Sequence, residues 1–228
     1  MKIVQFDENY KQTVSQYTKY DAICAIGIYL GVMVSYYVMG ILYSKYNMYL
    51  GVHVNIAIGI LCVVLVLARK QKLSSIGFTT NNLKRSVLIG SGLGLCITLI
   101  NVVPNMVVHS QFVSIGRFVY NTFYYFIVIA LVEEIIFRGY IQTRIYGLIK
   151  NNVLAVLVSG ILFMTMHIPY QMGAAQMDLV TFILNNFVWL LLTFGWHVVF
   201  NFLYAKNNSI VAPAVFHGFL DWSGYLFL

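Results

Sequence analysis

The sequence predicts an all-α polytopic membrane protein, a bundle of about seven transmembrane helices that forms one transmembrane domain over residues 1–228. Of the 228 residues, 60% are hydrophobic and only 9% are charged, whereas soluble domains carry about 25% charged residues. The apolar residues also form long uncharged runs without period-2 alternation, which favours helices over a β-barrel. Helices satisfy their own backbone polar groups in lipid, where water is absent.

Seven apolar stretches are predicted to span the bilayer, which takes about 20 residues per helix. In chain order they are predicted at residues 22–42, 50–68, 87–108, 118–150, 153–168, 179–204 and 210–228. The fifth stretch is expected to end at Pro169, which cannot continue a regular helix. The sixth is long for one span, so it is either one tilted helix or two helices broken at Gly195, which would give eight spans.

Two of these stretches contain glycines spaced by four residues, a pattern that permits close helix packing. The pairs are Gly27 with Gly31 in the first stretch and Gly90 with Gly94 in the third.

Basic residues in the short loops predict the orientation. With the N-terminus in the cytoplasm, only Lys45 and Arg117 of the 14 Lys and Arg residues fall outside, as the positive-inside rule requires. The net charge of +7 is thereby explained, and no basic block interleaved with aromatic residues indicates nucleic-acid binding. We expect a multi-pass protein of a bacterial cell membrane, with the lipid bilayer as its surroundings and the C-terminus outside.

The fourth stretch carries ionisable residues where a charge costs about 2.5–3.5 kcal/mol to insert. Glu134 and Arg138 are four residues apart, so they share a helix face and are predicted to pair. Glu133 points about 100° away and is left available for chemistry. Intramembrane ionisable residues are candidates for function.

His167 is predicted to lie at the depth of Glu133. Residues 151–152 read as a turn about midway between them, so an antiparallel helical hairpin brings both to similar depth.

Two later histidines are each followed by a polar residue four positions on, His197 by Asn201 and His217 by Asp221. Their depths are both compatible with Glu133, and spacing does not choose between them. The other histidines are predicted to lie at the membrane interface: His53 and His109.

Three short motifs resemble those of a known family. Residues 133–139, EEIIFRG, resemble the E-E-x-x-x-R signature of the CAAX-protease and bacteriocin-processing family, also called the Abi family. The segments FMTMH (163–167) and HGFLD (217–221) are similar to its F-x-x-x-H and H-x-x-x-N/D motifs. Order and spacing agree, and the resemblance covers about residues 75–228, the expected catalytic core.

The last motif also bears on the choice between the two histidines. The segment SIVAP at 209–213 resembles the family's approach to its final motif and favours His217 over His197. The family most often has Asn at the motif's end, where this chain has Asp221.

The resemblance implies an intramembrane endopeptidase, which cleaves a C-terminal or leader segment of a peptide or membrane-protein substrate. Glu133, assisted by His167, would activate water, while His217 and Asp221 would stabilise the tetrahedral intermediate. Asp221 serves this end if it is protonated or if it orients His217. The residues expected to support the site are Glu134 and Arg138.

This mechanism needs no cofactor, but a zinc version uses the same atoms. Glu133, His167 and His217 would then hold Zn²⁺ with an open fourth position, and Glu134 would act as base. No H-E-x-x-H motif is present.

Two alternatives stand beside proteolysis. Resemblance to the family also allows a non-proteolytic membrane scaffold or bacteriocin-immunity protein. Transporters, too, use buried Glu, His and Arg in proton relays, although the inverted repeats common among them are not seen here. The sequence specifies neither the cleavage site nor the oligomeric state.

Overall fold

The computed structural model describes residues 5–108 and 111–227. Lys2 and His109, which enter the orientation and interface predictions, lie outside these residues. Over the described ranges the chain folds into helices, and its only β-type pairing is an isolated bridge between Phe112 and Phe227. The predicted all-α bundle is therefore confirmed.

Eight principal helices follow one another along the chain. They are α1 (Glu8–Ser15), α2 (Lys19–Tyr46), α3 (Gly51–Ala68), α4 (Leu83–Val108), α5 (Ile115–Ile145), α6 (Asn152–Ala175), α7 (Leu179–Asn207) and α8 (Val211–Trp222). Short 3₁₀ turns occupy Leu73–Ile76 and Ser223–Tyr225.

Six of the described helices, α2 to α7, are long and apolar enough to span a membrane. The predicted seventh stretch forms α8, which has only 12 residues. It nevertheless runs beside α4 between the two loops that flank that helix. At one end the N–H of Ile210 donates to the carbonyl of Gly77 (3.0 Å), and at the other the N–H of Val113 donates to that of Leu226 (3.0 Å).

The glycine pairs differ in outcome. A Cβ at Gly90 would lie 2.7 Å from the carbonyl oxygen of Ala212, and a Cβ at Gly94 would lie 2.2 Å from the side chain of Phe219. These glycines therefore allow α4 to approach α8 closely. A Cβ at Gly27 or at Gly31, the other pair, would meet no described neighbour within 4 Å.

The prediction that the fifth span ends at Pro169 was wrong. Pro169 lies inside α6, which continues to Ala175. Proline removes a single backbone hydrogen bond, whereas unwinding the segment in lipid would expose several polar groups. Tight packing further holds the extension, because a Cβ at Gly40 of α2 would lie only 2.5 Å from the carbonyl oxygen of Tyr170.

The sixth stretch is one helix with a kink at Asn186 (φ −116°, ψ 15°), which agrees with the single-helix alternative and not with a break at Gly195. The side-chain amide of Asn186 donates to the carbonyl of Phe182 at 2.9 Å. Such local bonds give the backbone an alternative to its regular helical partner, a role that the side chain of glycine cannot take.

The helix α5 starts and ends earlier than predicted. Its first turn is capped by Ser114, whose hydroxyl accepts from the N–H of Arg117. It ends at Ile145 because the chain then turns, and Gly147 packs against the carbonyl of Thr18. This end of the bundle is covered by α1, whose residue Tyr10 is 1% exposed.

Candidate active site

The site is built around the middle of α5. Here Glu133 and Glu134 belong to a short α-helical piece, Val132–Glu134, between the π-helical segments Tyr124–Leu131 and Ile135–Gln142. π-Turns within α-helices are rare and are frequently found at functional sites. Both glutamates are buried, so the sequence places two acidic groups in the apolar interior at a widened part of the helix.

Glu134 forms an ion pair with Arg138, as the i, i+4 spacing predicted. The distance from Nη1 of Arg138 to Oε1 of Glu134 is 3.1 Å, and both side chains are 0% exposed. The guanidinium also lies over two aromatic rings, 4.0 Å from the centroid of Phe163 and 4.9 Å from that of Phe200. A buried charge requires such partners because its hydration has been lost.

His217 is held between two carboxylates. Its Nδ1 lies 2.9 Å from Oε1 of Glu134, and its Nε2 lies 3.4 Å from Oδ2 of Asp221. The ring is stacked on Phe200, with centroids 4.7 Å apart. Two carboxylates this close to one imidazole suit a cationic histidine, because its positive charge lies near both of them. The contact with Glu134 joins residues 83 positions apart and was not predicted.

A cavity of about 460 Å³ brings the four predicted catalytic side chains together. Glu133, His167, His217 and Asp221 all line it. The supporting pair, Glu134 and Arg138, does not line the cavity. Glu134 contacts both Arg138 and the cavity residue His217. The two adjacent glutamates therefore differ in position, since Glu133 lines the cavity and Glu134 does not.

His167 has one ring nitrogen fixed by the backbone. Its Nδ1 donates to the carbonyl of Phe163, four residues earlier, at 2.8 Å. In the neutral ring this bond leaves the lone pair on Nε2. The ring packs edge-on against Trp189, with centroids 5.7 Å apart. The hydrogen bond and the packing fix the orientation of a side chain that can accept a proton.

The other candidate histidine lies elsewhere. His197 is 0% exposed and its Nε2 lies 3.2 Å from the hydroxyl of Ser159, between α6 and α7. Asn201, one turn later, accepts from the side-chain amide of Gln142. Neither His197 nor Asn201 lines the cavity. His53 is exposed in the first turn of α3, near the end of a span as predicted.

Several cavity residues were missed by the sequence analysis. On α7, Trp189, Thr193 and Trp196 line the cavity, and its lining also includes Tyr124, Tyr125 and Tyr225. The α7 residues are spaced by four and three, which places them on one helix face, and this pattern could have indicated this part of the lining. Nothing in the sequence indicates that the tyrosines of α5 meet Tyr225, whose ring stacks on Tyr125 with centroids 4.7 Å apart.

A zinc site needs several ligands arranged about one point. Within residues 5–108 and 111–227, no group of three or more His, Cys, Asp or Glu side chains is arranged to hold a metal ion. In the structure Glu134, the expected base of the zinc version, instead contacts His217 and Arg138. The described residues therefore form no preassembled zinc site.

Comparison with known proteins identifies a similar family. Residues 115–223 match the sequence model of a family described as "Type II CAAX prenyl endopeptidase Rce1-like". No curated protein and no solved structure matches the chain. The matched segment contains all six predicted site residues and runs from the start of α5 to just beyond α8.

Proposed function

We propose, from the premise that residues 115–223 belong to the Rce1-like family of type II CAAX prenyl endopeptidases, that this protein is an active intramembrane endopeptidase. One observation carries the proposal: Glu133, His167, His217 and Asp221 line a single cavity within the bundle. Hydrolysis of a peptide bond requires a base, a water molecule and a group that stabilises the oxyanion, and these side chains supply such groups.

In the proposed reaction Glu133 takes a proton from water, whose oxygen attacks the carbonyl carbon of the scissile bond. His167 assists by orienting this water through Nε2. The resulting tetrahedral intermediate then collapses as its C–N bond breaks. The proton held by Glu133 passes to the leaving nitrogen, so that the products are a carboxylic acid and an amine.

His217 is proposed to stabilise the oxyanion through Nε2–H. The 3.4 Å separation of this nitrogen from Asp221 is longer than a regular hydrogen bond, which leaves the proton available to a substrate oxygen. Arg138 pairs with Glu134, and Glu134 holds Nδ1 of His217. Asp221 is assigned the role of orienting the imidazole, because an ionised carboxylate would repel an oxyanion directly.

The proposed mechanism is independent of metal. Purified enzyme dialysed against a chelator is expected to retain its full activity. Loss of activity that returns with added Zn²⁺ would instead require the zinc version.

The substrate is proposed to be a secreted or membrane-anchored peptide, cleaved in a leader or C-terminal segment. The cavity extends to Tyr225. The next residue, Leu226, accepts a hydrogen bond from the N–H of Val113, so the cavity reaches the end of the bundle opposite α1. With the N-terminus in the cytoplasm, as the loop charges favour, this end lies on the outer side of a bacterial cell membrane.

The test compares wild type with Glu133→Gln and His167→Ala in a strain lacking the native gene. Glu8→Gln and His53→Ala are matched controls, because both residues are exposed and distant in sequence from the cavity. Small secreted and membrane-derived peptides are quantified by mass spectrometry at equal protein levels. A peptide present with wild type and both controls, but absent with both cavity variants, is expected and would identify the substrate.

Identical peptide profiles for all these proteins would refute proteolysis. If the cavity variants also retained the cellular phenotype of the wild type, the protein would instead be an immunity or scaffold protein of the same family.

A further inference from the structure

A second cavity lies at the other end of the bundle, where α1 meets the start of α2 and the loop after α3. Its volume is about 520 Å³ and its lining is predominantly polar. It shares no residue with the catalytic cavity. The proposed reaction gives this cavity no role.

The charges around this cavity are unbalanced. Arg69, Lys70 and Lys72 line it together with one acid, Asp21. Nη2 of Arg69 lies 3.0 Å from Oδ1 of Asp21, so this acid is already neutralised. In the described part of the chain, Lys70 and Lys72 form no ion pair. Two positive charges therefore remain for a ligand.

A buried arginine fixes the loop that carries these lysines. Arg144 is 1% exposed, and its Nη2 donates to Gln71 at 2.7 Å and to the hydroxyl of Ser75 at 3.2 Å. The ring of Tyr17, another lining residue, lies 4.7 Å from the centre of the guanidinium. Because the buried Arg144 holds these lining residues in place, the cavity is formed before any ligand enters it.

We propose that this cavity binds an anionic phosphate group, that of a membrane phospholipid headgroup. The two free lysines supply the charge, and the hydroxyls of Thr13, Thr18 and Ser74 in its lining supply uncharged hydrogen-bond donors. Basic pockets at the cytoplasmic ends of transmembrane helices suit lipid phosphates. The inference does not depend on the proposed protease function.

The neighbouring surface fits the rest of a lipid. Apolar side chains next to the cavity are exposed on the outside of the bundle: Tyr20 (63%), Ile23 (56%), Leu67 (54%) and Leu73 (41%). Acyl chains could lie along this face while the phosphate occupies the cavity. Tyr20, Ile23 and Leu67 belong to the membrane-spanning helices α2 and α3, so lipid surrounds this face and its headgroup phosphates lie beside the cavity, which favours the lipid as the source.

The test titrates delipidated full-length protein in detergent with phosphatidylglycerol and counts bound lipids by native mass spectrometry. One tightly bound phosphatidylglycerol is expected in the wild type. Lys70→Gln/Lys72→Gln should weaken it roughly 30-fold, about fivefold per lysine. Lys84→Gln/Arg85→Gln is the matched control, because it removes the same charge from residues at the start of α4 that do not line this cavity, and should change affinity less than about twofold.

Equal affinities in the two double variants, whether both unchanged or both reduced, would overturn the proposal. If Lys70→Gln/Lys72→Gln fails to fold, Lys72→Gln alone replaces it, with an expected loss of about fivefold. Competition identifies the source of the phosphate. Resistance of bound phosphatidylglycerol to millimolar inorganic phosphate supports a lipid site, whereas displacement by inorganic phosphate, with no preference over phosphatidylcholine, refutes it.

Discussion

Removing the charge of Arg138 tests whether the buried pair behind the cavity holds the site together. Glu134 and Arg138 are both 0% exposed and 3.1 Å apart, so Arg138→Met leaves a carboxylate in the apolar interior with His217 as its remaining partner. Breaking a buried pair from one side costs about 3–5 kcal/mol. Methionine retains an unbranched apolar chain between the flanking aromatic rings, so most of this loss reports on charge.

The magnitude follows from a double-mutant cycle. Glu134→Gln alone strands the arginine and is expected to cost a similar amount of unfolding free energy. The double variant Glu134→Gln/Arg138→Met removes both charges, and such replacements are often close to neutral. Its loss should therefore be smaller than the sum of the single losses by about 3 kcal/mol or more.

The assay is reversible unfolding of purified protein in mixed micelles with increasing sodium dodecyl sulfate. Lys11→Met is the control. Nζ of Lys11 lies 2.7 Å from Oε1 of Glu8, whose side chain is 83% exposed, and an exposed pair contributes at most about 1 kcal/mol. Single losses below 1 kcal/mol at Glu134 and Arg138, or additive losses in the double variant, would refute the reasoning.

Three further predictions concern the cavity and the packing. Asp221→Asn should keep peptide cleavage within about tenfold of wild type in the mass-spectrometric assay, because an amide oxygen can still orient the imidazole; complete loss would give Asp221 a direct chemical role. In a chain freed of native cysteines, Tyr225→Cys should react with a membrane-impermeant maleimide on intact cells and Lys70→Cys only after lysis, and the reverse pattern would invert the topology. Gly40→Ala should lower the unfolding free energy by about 1–3 kcal/mol and Gly27→Ala by less than about 0.5 kcal/mol, since only Gly40 contacts a neighbouring helix; equal effects in the unfolding assay would contradict this packing.

Much of the fold and part of the site could be predicted because they depend on local properties of the chain. Hydropathy located the helices, and the i, i+4 spacing of Glu134 and Arg138 predicted their ion pair. The same spacing rule assigned Glu133 to a different direction, where the cavity lies. The hairpin around residues 151–152 predicted that His167 lies at the depth of Glu133, and both side chains line one cavity.

Other features depend on how the helices rotate and tilt against one another. His197 and His217 have the same polar i, i+4 companions and compatible depths, yet only His217 faces the cavity. The kink at Asn186, the continuation of α6 through Pro169 and the contact of Glu134 with His217 likewise involve partners that the local pattern does not specify.

The sequence by itself determined that this chain is a helical membrane bundle, which residues share each helix face, and that Glu133, Glu134 and Arg138 enter the interior. The tertiary structure alone decided which groups on different helices meet. Helical periodicity sets the angle between side chains within one helix, but the rotation of that helix about its axis is set by packing against its neighbours, and those contacts join residues far apart in the chain.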